Sequence, residues 1–138
     1  MRIPMAVLAD EANISQEGKL NLMGIFDRIA AAEFPVVHPR MVFAFRVEGD
    51  FKDSGRMFPV RVRLVDEDEQ PLFEAAGEMM APIVPPGEFS TANQVFALVG
   101  VQFPHPGVYK FVVSVGETDP LETPFLVQQA APNDSKLN

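Results

Sequence analysis

Cysteine and tryptophan are both absent from this 138-residue chain, which has one tyrosine and two histidines. Without cysteine there is no disulfide, no thiol nucleophile and no thiolate metal site. A reducing compartment suits such a composition, and a cytoplasmic protein is expected. Zinc would have to rely on His38 and His105, each followed by proline, and two imidazoles fall short of the three or four ligands it takes. Both read better as turn residues entering strands. Positive charge is also scarce: 11 Lys and Arg against 19 Asp and Glu give a formal net charge of −8. That balance disfavours nucleic acid and anionic membrane as partners, since both require a basic footprint. No apolar run approaches the roughly 18 residues of a membrane span. The opening decapeptide carries only a short apolar run broken by Pro4, so a signal peptide is not expected.

Motifs that carry chemistry are equally thin. None of Ser15, Ser54, Ser90, Ser114 and Ser135 sits in Gly-x-Ser-x-Gly, and neither a Gly-x-Gly-x-x-Gly nor a Walker pattern occurs. No catalytic residue and no cofactor are assigned.

What the chain does have is a succession of eight apolar stretches, at residues 5–9, 19–26, 41–48, 58–66, 72–80, 94–103, 107–115 and 121–127, parted by Pro, Gly, Asp and Asn. Phe and Val supply much of the apolar content, which suits pleated, half-buried surfaces, and 13 prolines cluster at the breaks. Alternation is clearest where Met41, Phe43, Phe45 and Val47 oppose Arg46 and Glu48, and where Phe58, Val60, Val62 and Leu64 oppose Arg61 and Arg63. Ala30, Ala31 and Ala32 are expected to make one helical turn. Short alternating strands at this spacing predict an all-β, single-domain antiparallel β-sandwich, immunoglobulin-like or similar, of about seven to nine strands. The domain is placed at residues 1–128, with 129–138 as a flexible C-terminal tail. In Pro106-Gly107-Val108-Tyr109, a Tyr just after a turn suits the corner of such a sandwich, its hydroxyl returning to the backbone.

Three clusters merit weighing. Asp66, Glu67, Asp68 and Glu69 are consecutive; Asp66, Asp68 and Glu69 are the weak candidates for a calcium site, against the plainer role of a polar hairpin tip. Six of the 11 basic residues, Arg40, Arg46, Lys52, Arg56, Arg61 and Arg63, fall in one stretch, which would allow a locally basic sheet face. Finally, residues 94–103 are apolar on both sides. With Val95, Ala97, Val99 and Val101 turned to the core, Phe96 and Leu98 would point outward, under the loop 81–87 or against a partner, and they are the candidate partner-binding residues. Strand edges offer a second docking route through unpaired backbone groups; residues 5–9 and 121–127 are the edges expected.

The segment Leu8-Ala9-Asp10-Glu11-Ala12, then Gly18-Lys19-Leu20-Asn21-Leu22-Met23-Gly24-Ile25-Phe26-Asp27, Phe34-Pro35 and His38-Pro39, resembles an uncharacterised family of small bacterial proteins that close with a Pro-Gly-x-Tyr-x-Phe strand, as Pro106 to Phe111 do here. The resemblance implies a bacterial source and an all-β domain, and brings no activity with it. Within that segment Gly24 marks a bulge or a close backbone approach, and Asp10, Asn21 and Asp27 are a conceivable ligand set. The function expected is a non-catalytic protein-interaction or structural module that binds a protein partner or its own copies. The alternatives are a calcium- or carbohydrate-binding sandwich and a small enzyme with an unrecognised site.

Overall fold

The computed structural model describes residues 1–130. Nine strands follow one another: β1 (Arg2–Ile14), β2 (Leu20–Phe26), β3 (Arg28–Ala31), β4 (Val36–Asp50), β5 (Met57–Val65), β6 (Pro71–Met80), β7 (Phe89–Phe103), β8 (Gly107–Val115) and β9 (Leu121–Gln129). They form a four-stranded sheet in the order β2-β1-β4-β7 and a five-stranded sheet in the order β3-β9-β8-β5-β6. The fold is therefore the expected all-β sandwich. One pair departs from the antiparallel expectation, because β3 runs parallel to β9, Arg28 facing Leu126 and Ala31 facing Gln129.

That pair also corrects the single helical turn expected at 30–32. Ala30 and Ala31 are strand residues opposite Gln128 and Gln129. Alanine's helix preference is weak over three residues, and pairing with β9 overrides it. By the same contact β9 extends through Gln129, and Ala130 donates its N–H to the Ala31 carbonyl at 2.8 Å. The remainder of the expected tail, residues 131–138, lies outside the described residues.

Alternation dictates the core. Met41, Phe43, Phe45 and Val47 of β4 are buried from one side, and Val60, Val62 and Leu64 of β5 with Tyr109, Phe111, Val113 and Val115 of β8 from the other. Phe43 and Phe111 stack across the two sheets with centroids 4.5 Å apart and ring planes 8° apart. Phe103 meets Tyr109 edge-on at 5.0 Å, and each such buried ring contributes about 2–3 kcal/mol of burial free energy. Tyr109, fully buried, donates its hydroxyl to the His105 carbonyl at 2.6 Å. This is the corner geometry its sequence position suggests.

The outward side of β4 is covered too. Val42 and Ala44 alternate with the core residues, yet neither is exposed. Pairing of β1 with β4 stops at Ala9 and Val42, and Arg40 there grips Glu11 through two hydrogen bonds of 2.9 and 3.1 Å. Beyond that point the β1–β2 hairpin bends, with Gly24 at φ +72 and packed on Asp10, where a Cβ would come within 2.5 Å of Oδ2. Only glycine meets both demands without strain. The hairpin tip then reaches β7, where Asn93 Nδ2 donates to the Gly18 carbonyl at 3.0 Å. The hairpin thus lies across β4, its half-buried Ala12, Leu20 and Leu22 turned down and Glu11, Asn13, Asn21 and Met23 exposed.

Candidate functional site

The acidic loop is occupied by structural work. Asp66 Oδ1 accepts the N–H groups of Asp68 and Gln70, both at 2.9 Å, closing the turn after β5. Glu67 accepts the Val108 N–H at 2.9 Å, which ties the loop to the start of β8. Glu69 receives Lys110 Nζ at 3.0 Å and Asp68 stands exposed. The carboxylates are turned to backbone and lysine in different directions, so Asp66, Asp68 and Glu69 do not converge on one point. Among the described residues no group of three or more His, Asp or Glu is placed to hold a metal ion.

Three of the six clustered basic residues are taken up by acids. Arg40 pairs with Glu11, Arg61 with Glu74 at 3.2 Å, and Arg63 approaches Glu69 at 3.9 Å. Lys110 adds Glu122 at 2.6 Å, and its hydrogen bonds to Glu122 and Glu69 raise its pKa. Strand pairing sets Arg61 and Lys110 beside an acid on the same sheet face, which the linear sequence conceals, while Arg56 lies over the Phe58 ring.

The resemblance segment gives Asp10, Asn21 and Asp27 separate neighbours. Asn21 donates to Asn13 at 2.9 Å across the hairpin, and Asp27 is exposed beside Arg28. Asp10 alone lines a cavity of about 180 Å³, together with Phe26, Arg28, Ile29 and His38. Burial lowers the pKa of His38, and the Asp10 charge offsets this in part. His105 lies elsewhere, its Nε2 3.9 Å from Asp66. Ser54, one of the serines surveyed for nucleophiles, both donates to and accepts from the Val84 backbone, at 3.1 and 2.9 Å; it pins the loop 81–87.

Phe96 and Leu98 are corrected. Leu98 is 4 % exposed and belongs to the core; Phe96 packs against that core and stacks on Phe45 at 6.0 Å. The outward residues of β7 are the alternate ones, with Ala97 exposed and Val99 74 % exposed. A strand apolar on both sides offers no pattern from which to choose the buried side. Partnership with β4 decides it, because Met41 opposite Leu98 and Phe43 opposite Phe96 share one face. Alternation then shifts at Gly100, φ +70, so that Phe103 also points inward.

The expected edges are corrected in part. Of residues 5–9 only Leu8 and Ala9 pair with both β2 and β4, and of residues 121–127 only Leu126 and Val127 pair with both β3 and β8. Among the described residues, the outermost strands are β2, β7, β3 and β6; residues 2–7 of β1 and 121–125 of β9 also lack a strand on one side, where Arg2 and Pro4, and Glu122 and Pro124, stand. These edges differ in how they are guarded. β3 has 4 residues. β2 has 7 and is bent at Gly24. β6 begins with Pro71 and carries Glu74 and Glu78. Short length, a bend, proline and charge are the usual protections against strand addition. β7 has 15 residues, Phe-Ser-Thr-Ala-Asn-Gln-Val-Phe-Ala-Leu-Val-Gly-Val-Gln-Phe, with neither a charge nor a proline among them. Its distal half borders a groove of about 650 Å³, lined among others by Leu72, Phe73, Val99 and Val101. The sequence signal was the uncharged run 89–109 in a chain with 22% charged residues.

Fold and surface together define a cysteine-free two-sheet sandwich with an apolar core and, among the described residues, one long strand edge without charge or proline. No helix among the described residues is long and apolar enough to cross a membrane. The chain belongs to the Family of unknown function (DUF6941), whose model matches residues 4–128. The search of curated proteins gave no match.

Proposed function

We propose that this protein is a non-catalytic interaction module that receives an extended segment of polypeptide along the free edge of β7. The observation that supports this most is the 15-residue length of β7 without a charge or a proline, on a sheet side where it has no neighbouring strand among the described residues. An added strand gains main-chain hydrogen bonds from the edge and specificity from the side chains that alternate along it. Here those side chains are uncharged, mostly small or apolar with Asn93, Gln94 and Gln102 among them, and the adjoining groove beside Leu72 and Phe73 gives an incoming strand an apolar surface to cover. The charged outer face of the five-stranded sheet is internally paired, which leaves it little to offer a charged ligand. A cytoplasmic setting and a bacterial source form part of this proposal, the first consistent with a chain that has no cysteine to protect.

The test is site-specific photo-crosslinking in intact cells, with the probe at Ala97 on β7 or, as control, at Glu78 on β6. Discrete polypeptide adducts from Ala97 but not from Glu78 are expected. Equal labelling from both, or none from Ala97, would refute the docking role of this edge.

A further inference from the structure

We infer that the segment received by β7 is the β7 strand of a second copy of this chain, paired antiparallel about a two-fold axis, so that two four-stranded sheets become one continuous sheet. This rests on the reading of β7 as a docking edge and names its occupant.

Three observations point to a second copy. The first is the contrast among the edges. β2 and β3 are short and β6 carries charge with proline, whereas β7 is 15 residues long without a charge or a proline, interrupted only at Gly100, φ +70. An edge without such protection pairs with another unprotected edge, and the one such partner always present at equal concentration is the same strand of another copy.

The second is charge. Each copy bears a formal −8, so most face-to-face approaches oppose like charges within a screening length of about 8–10 Å. Approach through β7 brings together two strands that are entirely uncharged. The nearest charges behind them on β4, Arg40, Arg46, Glu48 and Asp50, lie opposite Val99, Asn93, Thr91 and Phe89; Arg40 is already paired with Glu11 and Glu48 with Arg2. Antiparallel self-pairing therefore opposes only neutral residues in every register, and cross-strand repulsion, the usual veto on a symmetric pair, is missing.

The third is area. A 15-residue strand extends about 50 Å at ~3.3 Å per residue. With a contact roughly 10 Å broad this removes about 1,000 Å² from water over both copies, at the lower bound for a specific interface. Full overlap of residues 89–103 sets Phe96 on the two-fold axis and Val95 opposite Ala97 of the other copy. The symmetric interface is isologous and closes on itself, which predicts dimers rather than filaments. It also covers the half-buried Leu72, Phe73 and Val101 beside the groove.

Sedimentation velocity on the full chain, from about 1 to 200 μM (the range in which a contact of this size assembles), reads the outcome. Wild type is expected to pass from monomer to dimer across that range. Ala97→Glu places two carboxylates on diagonal positions about 7–8 Å apart across the axis, and Ala97→Lys two ammonium groups. Each variant alone is expected to stay monomeric with an unchanged melting temperature, since Ala97 is exposed, and an equimolar mixture of the two is expected to regain the dimer. Wild type that remains monomeric at the highest concentration, or either variant dimerising as well as wild type, would overturn the inference. If wild type is monomeric while Ala97 crosslinks in cells to polypeptides of other sequence, self-pairing fails and the docking edge stands. A monomer without crosslinks removes both.

Discussion

Neighbouring residues of β7 should differ sharply in what they contribute to stability, and Leu98 and Val99 make the sharpest comparison. Leu98 is 4 % exposed within the core, whereas Val99 next to it is 74 % exposed. Leu98→Ala removes three buried carbons. At about 0.8 kcal/mol each the transfer loss is roughly 2.4 kcal/mol, and the cavity left among rigid neighbours raises the cost to about 3–4 kcal/mol. Met41 lies directly opposite on β4, in a central strand with partners on both sides, and so has little freedom to collapse into the space. Val99→Ala removes two carbons that are already largely hydrated, and with the weaker strand preference of alanine included it should cost less than about 1 kcal/mol. Equilibrium unfolding in urea, at a fixed concentration low enough to keep the chain monomeric, measures both. A shift of the urea midpoint for Leu98→Ala alone, at unchanged slope, supports the inward assignment. Equal costs, or a greater cost at Val99, would mean that β7 presents its other side to the core and that the surface offered by Ala97 and Val99 does not exist.

Three further outcomes can be checked with the same unfolding assay. Tyr109→Phe keeps the buried ring and its contacts but strands the His105 carbonyl, which accepts the hydroxyl at 2.6 Å; a loss of about 1–3 kcal/mol is expected, and a neutral result would show that water replaces the hydroxyl. Gly24→Ala forces a Cβ against Asp10 at a residue with φ +72; a loss of at least about 1 kcal/mol is expected, whereas Gly77→Ala, with open space around it, should be near neutral. His38 has a lowered pKa because it is buried, with the Asp10 charge acting against that shift. Its unfolded form therefore binds a proton at higher pH than its folded form. Its contribution to stability is full above the ordinary imidazole pKa of about 6.5, declines as pH falls through that value, and levels off once the folded imidazole titrates too. His38→Gln should flatten this part of the pH profile, and an unchanged slope would refute the assignment.

The two-residue period settled by itself eight of the nine strands, and in several of them which side is buried. In β5 Val60, Val62 and Leu64, all buried, alternate with Arg61 and Arg63, so that one register satisfies both water and core. Met41, Phe43, Phe45 and Val47 are buried too, although Val42 and Ala44 between them are apolar and equally buried. The corner role of Tyr109 was equally legible, because the turn and the strand that create it are adjacent in sequence. Other features depend on which strands meet, and no local pattern encodes that. β7 is apolar on both sides, and its face was fixed by β4 opposite it. Ala30 and Ala31 became a strand because β9, remote in sequence, offered a parallel partner. The paired charges around Arg40, Arg61 and Lys110 arose from cross-strand neighbours. Edge status is the furthest from the sequence, since a strand is an edge only by virtue of what fails to pair with it. Leu8 and Ala9, and Leu126 and Val127, gained partners on both sides, and β7 became a sheet end, through sheet order alone. Alternation acts between a residue and its nearest neighbours along the chain, while sheet order is chosen by contacts across the whole domain. The sequence therefore determined most of the strands, and the tertiary structure decided which of them end a sheet.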